Sequence, residues 1–129
     1  MREVRAIHFD KMEAARAIIA RRTRRGDKLP RGTVDDMLVT PAPGLVCTIG
    51  IRDDHGRIRS VEIVEAEVAA ALIDHCIATQ IPIPRSAKKT VEELDGGVLL
   101  VFNLEREIAA GNRPRVLVRR RPAAAVARG

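Results

Sequence analysis

The sequence has no tryptophan and no tyrosine, and Phe9 and Phe102 are its only phenylalanines. Its core must therefore be built from Leu, Ile, Val and Ala. Proteins that read single-stranded nucleic acid stack bases on aromatic side chains, and two phenylalanines make a poor platform for that. Two cysteines, Cys47 and Cys76, are too few for a disulfide scaffold. Cysteine is among the most often buried residue types, so both are expected to be reduced core thiols in a cytoplasmic protein. No apolar run approaches the ~20 residues of a membrane span, and the arginine-bearing start lacks the apolar centre of a signal peptide. A protein without membrane attachment is expected.

Motifs of catalysis and cofactor binding are also missing. There is no G-x-x-x-x-G-K-[ST] and no G-x-G-x-x-G, and Gly96-Gly97 reads as turn chemistry. No C-x-x-C, H-x-x-x-H or H-E-x-x-H spacing exists among His8, His55, His75, Cys47 and Cys76. His75 and Cys76 would sit about 100° apart on a helix and so share no face. Asp35-Asp36 and Asp53-Asp54 are adjacent carboxylates that turn and cap duties explain. The chain is expected to be no enzyme and to hold no metal or cofactor.

What is present is arginine. Of 23 basic residues only Lys11, Lys28, Lys88 and Lys89 are lysine, and against 17 acidic residues the net charge is +6. Residues 16–31 and 113–128 each carry +6, while the stretch 32–112 between them carries −6. An acidic middle is flanked by two basic segments. With 46% hydrophobic and 31% charged residues, the composition is that of a folded globular protein.

Periodicity predicts an α+β fold. Residues 3–9 form a short strand. Asp10 and Glu13 have the spacing of a capping box ahead of a helix over 11–25, along which Met12, Ala15 and Ile19 recur. Gly26 is its C′ residue. Residues 26–44 hold three prolines and three glycines and read as a long connection, in which Thr33 and Asp36 cap at most one helical turn. Leu45, Cys47, Ile49 and Ile51 alternate with Val46, Thr48, Gly50 and Arg52, a one-sided strand, and Asp53 to Gly56 turns it into a partner strand over 57–64. A second helix covers 66–79, with Val68, Leu72 and Cys76 on one row. Residues 86–94 fit helix spacing and strand spacing alike; Asp95-Gly96 favours a hairpin over 89–103. Asn103 caps a short helix through Ala110, and residues 115–119 alternate as a last short strand. Ahead of that last helix and strand the order is β-α-β-β-α-β-β, whose first six elements match a split βαβ arrangement: a small mixed or antiparallel sheet with two helices on one face. Residues 1–121 are expected to be one domain and 122–129 a loose tail.

The one functional signal above this background is the basic cluster Arg21, Arg22, Arg24, Arg25, Lys28 and Arg31, with Arg119, Arg120 and Arg121 as a second group. Arg22 and Arg25, three residues apart, share one face of the helix end. Arginine's planar fork suits phosphate. The expected partner is a nucleic acid, contacted through its phosphates with little sequence selectivity. The alternative is a structural or adapter protein, in which the basic flanks meet acidic protein surfaces, including those of a second copy, to form an oligomer or larger assembly.

Overall fold

The computed structural model describes residues 2–105 and 115–120. Strand β1 (Arg2–Phe9) leads into helix α1 (Lys11–Arg25), followed by β2 (Thr33–Thr40), β3 (Val46–Arg52) and β4 (Ile58–Val64). Helix α2 (Glu65–Ala78) then precedes β5 (Lys88–Leu94), β6 (Gly97–Glu105) and β7 (Arg115–Arg120). The fold is α+β, and the strands and helices expected from the sequence follow one another in the expected order, with β2 added between α1 and β3.

Local signals explain most boundaries. Asp10 Oδ1 accepts from the Glu13 backbone N–H at 2.8 Å, and Glu13 Oε1 accepts from the Asp10 N–H at 3.0 Å, closing the capping box of α1. Gly26 ends that helix in the left-handed region, φ 73°, where a side chain would be strained. Asp53 Oδ1 accepts from the N–H groups of His55 and Arg57 and so shapes the β3–β4 turn. Asp95 and Gly96 both have positive φ, 53° and 79°, as a two-residue type I′ hairpin between β5 and β6 requires. Residues 86–94 thus contribute a strand and no helix.

Three expectations are corrected. The stretch 33–40 is strand β2, not a connection with a capped turn. Only Met37 in it is fully buried, and a bulge between Val34 and Asp36 breaks the alternation by which a strand is recognised. Asn103, expected as a helix cap, lies inside β6, paired with Val4 and Lys88, and residues 103–105 are strand. The remainder of the helix expected there, 106–110, lies outside the described residues, as does the tail 122–129. Finally, the strands divide between two sheets, ordered β5-β6-β1-β7 and β2-β3-β4. β1 pairs antiparallel with β6 and parallel with β7, whereas β2, β3 and β4 form an antiparallel meander.

Each helix touches both sheets, and one apolar cluster joins all four pieces. Phe9, Ile18, Met37, Ile49, Ile63, Leu72, Leu100 and Phe102 are its largest fully buried members. Cys47 and Cys76 are buried in it as free thiols, as expected. Burial pushes the Cys47 thiol up to about 11. Because β4 ends where α2 begins, with Val64 as the helix N-cap residue, the first turn of α2 is held beside the sheet edge. Its acidic residues Glu65 and Glu67 are placed by that junction.

Candidate nucleic-acid interface

The last turns of α1 carry four arginines, and α2 packs alongside. On α2, Glu67 and Asp74 lie seven residues apart, two helical turns, and so face the same way. Arg22 grips Glu67 with both arms of its guanidinium, Nε to Oε2 at 2.7 Å and Nη2 to Oε1 at 3.0 Å. Arg21 Nη1 donates to Asp74 Oδ2 at 2.7 Å, and Arg24 Nη2 reaches the same oxygen at 3.3 Å. Side chains of the Arg22–Glu67 pair are only 19% and 22% exposed. The hydrogen bond raises the Arg22 pKa and lowers that of Glu67, so each holds the other charged.

Both partners are also well placed for the helix dipoles. The arginines stand at the negative end of α1, and Glu67 stands in the first turn of α2, its positive end. The arrangement is therefore an interhelical clamp. Arg22 and Arg25 do not act together on one face: Arg22 turns to α2, while Arg25 bonds Asp27 at 3.2 Å on the exposed side. Sequence reading missed Glu67 and Asp74 because they look like any solvated acidic residues; their two-turn spacing beside the Val68–Leu72 apolar row was the available signal.

The other cations are distributed differently. Lys28 and Arg31 are exposed and make no ion pair among the described residues, and the same holds for Arg16. Arg119 and Arg120 lie on β7, the strand added parallel to β1, at register positions beside Ile7 and His8. Arg115 sits beside Glu3. Arg121 lies outside the described residues. The two groups of candidate residues are thus carried by separate elements, α1 and β7.

The rings of His8 and His75 pack into the fold. The ring of His8 is buried and its Nε2 lies 2.9 Å from the Leu94 carbonyl oxygen, and His75 packs edge-on to Phe9 with centroids 5.7 Å apart. His55 occupies the exposed β3–β4 turn. Among the described residues no three His, Cys, Asp or Glu gather in a way that could hold a metal ion. No helix among them is long and apolar enough to cross a membrane.

No family model matches the chain, and comparison with curated proteins and with solved structures gives no match.

The distribution of charge separates body from end. Residues 2–105 contain 16 basic and 16 acidic side chains, so this part of the chain is neutral. Residues 106–129 contain seven basic side chains and one acidic one. The entire surplus of +6 belongs to the carboxy-terminal stretch.

Proposed function

We propose that this protein binds nucleic acid through backbone phosphates, and that Arg119, Arg120 and Arg121 make the principal contacts. The observation that carries this reading is the engagement of Arg21, Arg22 and Arg24 by carboxylates of α2. An arginine already bonded to Glu67 or Asp74 gains little from a phosphate, because binding it must first break a charge-assisted bond. The neutral balance of residues 2–105 leaves the carboxy-terminal arginines as the source of net attraction. Lys28 and Arg31, exposed and without an ion pair among the described residues, add secondary contacts.

Sequence selectivity is weak on this reading. Phe9 and Phe102 are both buried, so neither offers a ring to an unstacked base. Phosphate contacts position a protein on nucleic acid without reading its bases. The alternative, assembly through basic flanks docked on acidic surfaces, loses support from the same geometry, since Glu67 and Asp74 are occupied within the chain.

Anisotropy titrations of mixed-sequence DNA and RNA at several salt concentrations test the proposal. The triple variant R119E/R120E/R121E should flatten the plot of log K against log salt by nearly one unit for each phosphate left without its arginine, alike for all sequences. R25E/K28E/R31E should change it less. A wild-type chain without salt-dependent binding at ~50 mM salt, where phosphate contacts are strongest, ends the nucleic-acid reading.

A further inference from the structure

Among the described residues the two sheets have four edges: β5 and β7 on one, β2 and β4 on the other. An open edge is a template for another strand, and proteins blunt it with charge, proline or bulges. Three of the four edges are blunted. β2 carries Asp35, Asp36 and a bulge; β5 carries Lys88, Lys89, Glu92 and Glu93; β7 carries Arg115, Arg119 and Arg120. β4, Ile-Arg-Ser-Val-Glu-Ile-Val, has one basic and one acidic residue, no proline and no bulge, and all seven of its residues pair in regular register with β3. Its outward face is also apolar at both ends: Ile58 is 49% and Val64 59% exposed.

We infer that β4 pairs antiparallel with β4 of a second copy, joining the two meanders into one sheet of order β2-β3-β4-β4-β3-β2. The strand is self-complementary in one register. A two-fold axis through Val61 sets Ile58 opposite the partner's Val64 and Val64 opposite the partner's Ile58, covering both exposed apolar residues. Ser60 then faces the partner's Glu62, whose carboxylate can accept its hydroxyl hydrogen. An axis through Glu62 opposes that residue to the partner's Glu62, two like charges. An axis through Ser60 sets Ile58 against the partner's Glu62. An axis between residues opposes inward to outward side chains, because strand faces alternate. Such an isologous two-fold contact is the commonest form of homo-oligomer. The inference stands on β4 and is independent of the arginines.

Sedimentation of the nuclease-treated full chain across a concentration series at about 0.15 M salt tests it, the nuclease removing nucleic acid that could bridge two copies. The wild type should shift from monomer to dimer. I58E/V64E, which opposes glutamates twice in the proposed register, should stay monomeric over the same range. I58K/V64E, which differs only at position 58 and opposes lysine to glutamate twice, should regain the dimer. Both positions are exposed, and thermal melts report whether each variant folds. Hydrogen exchange on the wild type needs no variant: protection of β4 amides must rise with protein concentration while that of β2 does not. A wild type that stays monomeric, a dimer indifferent to I58E/V64E, I58K/V64E behaving like I58E/V64E, or β4 protection independent of concentration would each overturn the inference.

Discussion

Removing Arg22 should destabilise the fold, although Arg22 stands at a helix end in the most basic stretch of the body. Exposed ion pairs contribute about 0–1 kcal/mol, whereas hydrogen bonds to charged groups contribute about 1.5–3 kcal/mol when sheltered. The Arg22–Glu67 pair is bidentate, and about four-fifths of each side chain is withdrawn from water. That places Arg22→Ala within the second range, at ~2 kcal/mol, which for a domain of this size corresponds to a fall in Tm of ~6–10 °C. A double-mutant cycle with Glu67→Gln should return a coupling of ~1 kcal/mol or more, because each single variant strands the other partner. The acid side supplies an independent check. Arg22 holds the Glu67 carboxyl below its ordinary range, so the folded state binds fewer protons there than the unfolded chain does. The resulting stability is present above the unfolded value, about pH 4.3, and is lost as pH falls through the folded value. The gap between wild type and Arg22→Ala should therefore narrow on acidification. Chemical denaturation at neutral pH and at successively lower pH reads both effects. If Arg22→Ala matches wild type within ~0.3 kcal/mol and the cycle shows no coupling, the clamp is ornamental and its arginines are available for phosphate.

Two further outcomes follow from the core. Gly97→Ala should cost about 1–3 kcal/mol, since its Cβ would fall against the Phe9 carbonyl oxygen and 3.1 Å from His8 Nε2, and thermal melts measure it. Cys47 should react with a thiol reagent only as fast as the chain opens. Because burial raises its pKa, the folded thiol keeps its proton after the unfolded thiol has lost it; stability should decline above about pH 8.5, and Cys47→Ala should flatten that decline in alkaline melts.

Much of the fold could be read locally. The Asp10–Glu13 capping box, Gly26, the Asp53–Gly56 turn and Asp95-Gly96 act within a few residues of themselves, and each marks its element correctly. β2 escaped because its bulge and its two aspartates erase the strand period, leaving Met37 as its only fully buried residue. The division into two sheets escaped for a different reason: β1 finds its partners in β6 and β7, distant in sequence, with Arg2 against Glu105 and Glu3 against Arg115, and no local pattern encodes that choice. The arginine cluster was visible as charge, but its role was not. What Arg21, Arg22 and Arg24 do depends on Glu67 and Asp74 arriving beside them, a consequence of helix packing.

The central claim, that the arginines of α1 are held by α2 while the carboxy-terminal arginines meet phosphate, is tested most directly by where the arginine side chains respond to a polyanion. Two-dimensional NMR of the arginine Nε–Hε groups, recorded while a short mixed-sequence DNA is titrated into the full chain, reads this residue by residue. The resonances of Arg119, Arg120 and Arg121 should shift with occupancy and recover as salt is added, while those of Arg21 and Arg22 stay in place. Shifts concentrated at Arg21 and Arg22, with Arg119 to Arg121 unmoved, would contradict it.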